Sequence, residues 1–509
     1  MTYHVYSGDR TVAMEQVALN GAKTASGLVS LGVGDGDSFA TVMRNDIAML
    51  ETKIAGNLVG AYAVPVNWHA TAEEAGYILT DSGAKAIVVH ADLLPGIASH
   101  LPKDVPVLVC ATPPEIATAY GIPPEAREVP GGAMDYEAWR DGFEPRMEAP
   151  PLERGSMIYT SGTTGHPKGV RREPTSPERQ AKLGELAMRS FGIGTGGVCA
   201  MTGPMYHSAP GAYASLAMAL GNDIHLLPRF DPEGLLQAID AHKISHMHVV
   251  PTMFMRMLRL PDAVKAKYDL SSLVHVIHGA APCPPEAKAK MIEWWGPVIY
   301  EYYGSTEAGI VSVASSADAL AKPGTVGRPQ EDTLVRIYDD DGNVLETGES
   351  GEIYMTMPHL SDFTYHNKDD KRAEIERDGM VTNGDVGYLD EDGYLFLNDR
   401  KRDMIISGGV NIYPAEIEAA LHHMPGVHDC AVFGIPHDEF GESIAAAIEP
   451  LSGADLTAAG VREFLTQHIS AYKLPREVTF HDALPREDTG KIFKRKLRQP
   501  YWERAGRQI

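Results

Sequence analysis

The chain has 509 residues, too long for one hydrophobic core, so two or more domains are expected. Hydrophobic residues make up 44% and charged residues 22%, a globular balance that excludes a disordered chain. The formal charge of −23 excludes nucleic-acid binding through the overall field, because phosphate backbones need clustered Lys and Arg.

The opening stretch, MTYHVYSGDR, has no basic region followed by an apolar run and does not read as a signal peptide. Residues 12–31 read as an amphipathic helix. Apolar runs follow at 39–43, 61–68, 86–90 and 105–110, with helix-like segments such as 71–82 between them. The alternation resumes at 223–227, 246–250, 274–278 and 298–302, separated by helical patterns near 232–242, 252–260 and 284–295. Short apolar strands joined by helices predict βαβ units and parallel sheets covered on both faces. After about residue 320 the pattern changes. Asp340-Asp341-Gly342 and Glu391-Asp392-Gly393 are hairpin signals between strand-like runs, and they predict a small antiparallel, barrel-like unit. The charged run Asp399-Arg400-Lys401-Arg402-Asp403 reads as a linker. The remainder mixes short strands (431–434, 478–480) with helices (415–421, 456–469), as a separate α+β domain would. The expected fold is therefore α/β, with domains at 1–400 and 401–509. Cys110, Cys199, Cys283 and Cys430 lie far apart, with no zinc or disulfide pattern, and read as inert buried thiols. No run of about 18 apolar residues is present, so no membrane-spanning helix is expected. These features fit a soluble cytoplasmic enzyme and fit a binding protein equally well.

The chemistry is concentrated in Thr160-Ser161-Gly162-Thr163-Thr164-Gly165-His166-Pro167-Lys168, after a strand-like run. Glycines let backbone N–H groups face a phosphate, hydroxyls add donors, and Lys168 adds positive charge. The spacing is not that of a Walker A loop. Gly279, Ala280 and Ala281 follow an apolar strand, and small residues at a strand's carboxyl end leave room for a flat ring. They serve a tight turn equally well. Thr306 and Glu307 end the next strand, where a hydroxyl beside a carboxylate suits a phosphate oxygen and Mg²⁺. Asp385 stands in the polar turn Thr382-Asn383-Gly384-Asp385 and can accept from two ribose hydroxyls.

These strings together, with Tyr302-Tyr303-Gly304, Ser407-Gly408-Gly409 and Thr489-Gly490-Lys491, resemble the adenylate-forming superfamily: acyl- and aryl-CoA synthetases, firefly luciferase and peptide-synthetase adenylation domains. The likeness covers about residues 155–500 in the family's order. It implies an ATP-binding set of Thr160, Ser161, Gly162, Thr163, Thr164, Gly165, Lys168, Gly279, Ala280, Ala281, Tyr302, Tyr303, Gly304, Thr306, Asp385, Arg400 and Lys491. Within that set, Tyr303 and the 279–281 segment sandwich adenine, Thr306 meets the α-phosphate and Glu307 holds the metal. Arg400 is implied as a second ribose or phosphate partner of Asp385. Lys491 is implied to enter the site during adenylation, and Arg402 to be the hinge that later removes it. Rotation would bring Ser407, Gly408 and Gly409 to the pantetheine of coenzyme A. Lys473 and Arg476, in a basic C-terminal stretch, are read as CoA phosphate contacts or a solvated face. His207, in Met205-Tyr206-His207-Ser208-Ala209-Pro210, is implied at the acyl-pocket mouth, or is a packed loop histidine. The small residues of 211–221 leave room for a bulky acyl group or for close helix packing.

The expected reaction is acid + ATP + CoA to acyl-CoA + AMP + diphosphate, with Mg²⁺, on a hydrophobic fatty, aryl or polycyclic acid. A homodimer is implied by the family. An amide synthetase, or an adenylating enzyme that does not use CoA, is the alternative. The absence of Asp between residues 142 and 222 counts against an amino acid as substrate.

Overall fold

The computed structural model describes residues 2–148, 150, 152–160, 167–400, 403–407, 410–437, 440–486 and 492–505. The expected alternation of strand and helix folds into a large N-terminal α/β domain with parallel sheets, followed by a C-terminal domain.

One all-parallel sheet orders the strands Tyr62–Pro65, Ser38–Val42, Ala84–His90, Val107–Cys110 and Met134–Asp135. In Ala84–His90 every residue but Lys85 is buried, as expected for a strand covered on both faces. A nine-stranded sheet has a parallel centre: Ile299–Ser305, His275–His278, His246–Val249, Val198–Met201, Asp223–Leu226 and His4–Ser7. His4–Ser7 thus pairs with a strand more than two hundred residues later, and the His4 N–H donates to Asp223 (2.7 Å). The two strands that follow Val198–Met201 in the chain, Asp223–Leu226 and His246–Val249, flank it on opposite sides. That makes a topological switch point, and ligands of open α/β sheets bind outside the strands' carboxyl ends. The helices Pro232–His242, Pro251–Leu258 and Pro285–Trp295 each open on proline, whose missing N–H costs nothing in the first turn.

The antiparallel unit is present after residue 330. Leu334–Tyr338, Gly351–Thr356, Met380–Leu389 and Glu376–Arg377 form one sheet, and Leu395–Arg400 joins it on Met380–Leu389. Both hairpin signals are turns: the Asp339 N–H donates to Asn343 O (3.0 Å) and the Asp390 N–H to Tyr394 O (2.9 Å). A three-stranded sheet of Phe363–Tyr365, Lys168–Arg172 and Ile158–Thr160 bridges this unit to the parallel sheets. The C-terminal domain is a sheet of Val410–Ile412, Ile405–Ser407, Gly441–Pro450, Val427–His437 and Glu477–Phe480, covered by Pro414–His422 and Ala458–Thr466.

All four cysteines are buried and unbridged. Burial raises each thiol, Cys199 to about 12, so none is poised as a nucleophile. No helix among the described residues is long and apolar enough to cross a membrane.

Candidate active site

Side chains alternate faces along Ile299–Ser305. Tyr302 turns into the main core beside Phe191, and its hydroxyl lies 3.1 Å from His248 Nε2. Burial pushes the Tyr302 phenol up and the His248 imidazole down to about 4, so both are neutral near pH 7. Gly279 lies flat on the Tyr302 ring: a Cβ there would stand 2.5 Å from the ring's Cε1. Tyr302 therefore serves as the floor beneath the small residues 279–281. Ala280 carries a positive φ of 68°, the tight turn that the sequence also allowed.

Tyr303 points the other way, into the core shared with the antiparallel unit. Its hydroxyl donates to Asp385 Oδ2 at 2.8 Å. Asp385 in turn lies opposite Arg400 in the ladder between Met380–Leu389 and Leu395–Arg400. Three residues of the expected nucleotide set, far apart in the chain, are thus brought to one place. The next residue, Gly304, has no room for a side chain. A Cβ would fall 1.9 Å from the Gly309 carbonyl oxygen, where the strand turns back on itself.

Thr306 and Glu307 follow the strand rather than ending it. Glu307 Oε1 accepts from Thr160 Oγ1 (3.2 Å) and from the Tyr365 hydroxyl (3.0 Å). Thr306 Oγ1 shares a 3.0 Å hydrogen bond with Ser208 Oγ, the first residue of the helix Ser208–Ala219. Beneath them lies Arg172. Its Nη2 donates to Thr306 O (2.6 Å) and Glu307 O (2.7 Å), and its Nη1 to Ser361 O (2.6 Å). Burial lowers the Arg172 guanidinium to about 10, so it stays charged. Strand alternation places Lys168, Val170 and Arg172 on one face. Lys168 Nζ sits 4.8 Å from the centre of the Tyr365 ring, and burial lowers its pKa. Two cations, one carboxylate and several hydroxyls thus surround one point at the strand ends.

Residues 161–166, which include Ser161, Gly162, Thr163, Thr164 and Gly165, lie outside the described residues, as do Arg402, Gly408, Gly409 and Lys491. The remaining candidates are placed as follows. His207 caps the helix Ser208–Ala219 through its backbone, accepting from the Gly211 N–H (3.0 Å), and is the immediate neighbour of Ser208. Gly211 is buried, and its carbonyl accepts from Lys53, a half-buried cation lowered to about 8 by desolvation. A Cβ at Gly211 would stand 2.8 Å from the Met205 carbonyl oxygen, so there is no room for a larger residue at this position. Ser407 donates to Glu442 O (2.8 Å). Lys473 is engaged by both oxygens of Glu416 at 2.6 Å, and Arg476 Nη1 meets His437 Nε2 at 2.7 Å.

Arg172, Tyr365 and Ser208 were not singled out from sequence. Of these only Ser208 left a trace there, inside the string Met205-Tyr206-His207-Ser208-Ala209-Pro210.

The description "AMP-binding enzyme" matches residues 2–362, and "AMP-binding enzyme C-terminal domain" matches residues 416–491. The long-chain-fatty-acid–CoA ligase FadD13 of Mycobacterium tuberculosis is 32% identical, over 94% of this chain and 91% of its own. A feruloyl-CoA synthase of Amycolatopsis sp is 31% identical, over 98% and 95%. The amide bond synthetase McbA of Marinactinospora thermotolerans has a similar structure, with a TM-score of 0.82, 26% identity, and 98% and 97% of the two chains covered. With this site at the carboxyl ends of its parallel strands, and with both family profiles matched in order, the chain belongs to the AMP-binding, adenylate-forming enzymes.

Proposed function

We propose that the protein is an AMP-forming carboxylic acid–CoA ligase acting through an acyl-adenylate, on a hydrophobic fatty, aryl or bulky polycyclic acid. The observation that carries this reading is the convergence of Thr160, Lys168, Thr306 and Glu307 beside the Tyr303–Asp385 pair. The CoA-ligase relatives and the family assignment support it.

In the first step an oxygen of the substrate carboxylate attacks the α-phosphorus of ATP, and diphosphate leaves. The obstacle is electrostatic, since an anion must approach a polyanion. Fixed positive charge at Lys168, Thr306 at the α-phosphate, and Lys491 between the two anions would offset that repulsion. Asp385 would hold the ribose, with Arg400 beside it, while Ala280 and Ala281 face adenine. Glu307 offers a hard oxygen suited to Mg²⁺, which would neutralise phosphate charge when bound. His207 would orient the acid's carboxylate. In the second step the CoA thiol attacks the acyl carbon and AMP departs. Rotation about Arg402, at a boundary after residue 400, would withdraw Lys491 and present Ser407, Gly408 and Gly409. Lys473 and Arg476 would then reach the CoA phosphates only by giving up Glu416 and His437. A cytoplasmic homodimer completes the proposal.

The test is incubation with ATP, Mg²⁺, CoA and a panel of fatty, aryl and polycyclic acids, reading AMP and thioester by mass spectrometry. AMP release that depends on an amine rather than on CoA would favour the amide-synthetase reading, to which the likeness to McbA lends weight.

A further inference from the structure

The loop that follows Val198–Met201 carries His207 and leads into the helix Ser208–Ala219. Its own sheet holds it through Thr202, whose Oγ1 donates to the His248 carbonyl at 2.5 Å. The middle of the loop is held from the other parallel sheet. Asn45 Nδ2 donates to the Gly203 carbonyl (2.8 Å), and Asn45 Oδ1 accepts from the Met205 N–H (2.8 Å). Asn45 is 7% exposed, and Gly203 and Met205 are buried with it. Both bonds are therefore made away from water, where an unpaired carbonyl or N–H is costly. One partner is an acceptor and the other a donor, which fixes the orientation of the amide. Beyond these contacts the loop closes a turn, with the His207 N–H donating to Pro204 O at 3.2 Å.

Asn45 is itself firmly set. It follows Ser38–Val42, which the next two strands, Tyr62–Pro65 and Ala84–His90, flank on opposite sides. The switch point of one parallel sheet thus reaches the loop at the switch point of the other. The residues on either side of Asn45 are bound into the end of their own sheet. Arg44 Nη1 donates to both oxygens of Asp92 (3.0 and 2.8 Å), and its guanidinium lies 4.4 and 4.5 Å from the ring centres of Trp68 and Tyr120. Asp46 caps the helix Ile47–Val59 by accepting from the Ile47 N–H (2.7 Å), and it accepts from Arg10 Nη2 (2.6 Å). Buried His90 spans the two, its Nδ1 accepting from the Arg44 N–H (3.3 Å) and its Nε2 lying 3.3 Å from Asp46 Oδ2. With Nδ1 accepting, Nε2 carries the proton that faces Asp46. Arg44 and Asp46 are fixed in this way, and the Asn45 amide between them reaches across to the loop.

We propose that Asn45 is a positioning residue of the acid site: it sets the loop 203–207, and through it the His207 imidazole, against the substrate carboxylate. This rests on the role of His207 in the proposed function. Asn45 acts on the loop and not on the substrate. Alanine at this position would leave the Gly203 carbonyl and the Met205 N–H without it. Aspartate would keep the acceptor for Met205 but set a carboxylate oxygen against the Gly203 carbonyl. In both cases the turn 204–207 loses its fixed place. Ser208 Oγ, bonded to Thr306 Oγ1 at 3.0 Å, would carry part of that displacement to the reacting phosphate, so the rate should fall as well. The contacts that hold the rest of the nucleotide set, Tyr303 with Asp385 among them, do not pass through the loop.

The test uses the full chain, with dodecanoic, cinnamic and cholic acids as probes and diphosphate release as the signal. Asn45→Ala and Asn45→Asp should each raise the KM for the acid several-fold, lower the rate at saturation and leave the KM for ATP unchanged. A residue that only supports the fold would lower the melting temperature with neither KM moved, or raise both alike, and either result would overturn the proposal. Hydrogen exchange followed by mass spectrometry reads the loop without turnover. In both variants exchange should quicken in the peptide covering 202–208 and stay as in the wild type in those covering 84–92 and 380–389. No change at 202–208, or equal loosening in all three, would also overturn it. A wild type that adenylates none of the three acids would sink the proposed activity, while loosening confined to 202–208 would leave the loop's dependence on Asn45 standing.

Discussion

The Tyr303 hydroxyl donates to the Asp385 carboxylate at 2.8 Å, with both side chains buried, and so joins the end of a parallel strand to the antiparallel unit. A hydrogen bond to a charged acceptor is worth about 1.5–3 kcal/mol, so Tyr303→Phe should destabilise by about that amount in denaturant titrations. It should also raise the KM for ATP, because Asp385 loses the group that orients it. A KM unchanged in a destabilised variant would confine the pair to folding.

Glu307 stands where Thr160 and Tyr365 converge. Glu307→Gln keeps the shape and removes the charge. Adenylation should slow and require more Mg²⁺, read as diphosphate release against magnesium concentration. An unaltered magnesium dependence would remove Glu307 from the metal's surroundings.

Arg172 fixes the backbone of Thr306 and Glu307 rather than any ligand. Arg172→Lys keeps the charge and loses the fork that holds three carbonyls. A misplacement of about 1 Å can cost ~10²-fold in rate, so adenylation should fall by about that factor. Folding should be checked by thermal melting, since Arg172 is half-buried and holds three backbone carbonyls. Retained activity in a folded variant would show that other contacts set the loop.

Lys288 and Glu301 form a buried ion pair, with His278 Nδ1 3.9 Å from the carboxylate. Removing one partner of such a pair costs about 3–5 kcal/mol, because the other charge stays buried alone. Lys288→Met should therefore unfold at markedly lower denaturant, and Lys288→Met with Glu301→Leu should recover most of the loss. No recovery in the double variant would mean that packing, not charge, dominates.

Lys491 is expected to act in one step only. Lys491→Ala should reduce acyl-adenylate formation by orders of magnitude and spare thioester formation from supplied acyl-AMP. Equal loss in both steps would point to a general structural role.

What the sequence made legible was the chemistry at strand ends. Tyr303, Thr306, Glu307 and Asp385 stood out because their strings together, in order, resemble one family; taken alone, a carboxylate such as Glu307 reads as a surface charge. Which of Tyr302 and Tyr303 faces the main core and which the core shared with the antiparallel unit was not legible. Both are aromatic, and the strand is covered on both sides, so alternation assigns opposite faces without saying which is which. Arg172 was not legible as a support either, because gripping backbone carbonyls leaves no pattern in the neighbouring residues. Lys473 was open to two readings, a CoA phosphate contact or a solvated face, and its partner in the structure, Glu416, is 57 residues away in sequence, where clustering could not point to it.

The strand His4–Ser7 sits inside the nine-stranded sheet, paired with Asp223–Leu226. That placement sets an order of events on the ribosome. The all-parallel sheet, whose strands end by Asp135, can assemble while the chain is still growing. The strand His4–Ser7 must wait for its partner to be made. At about 5–20 residues per second that wait is roughly ten to forty seconds, during which one strand edge stays unpaired. A tag or truncation that disturbs residues 4–7 should therefore lower soluble yield far more than it lowers the activity of the molecules that do fold.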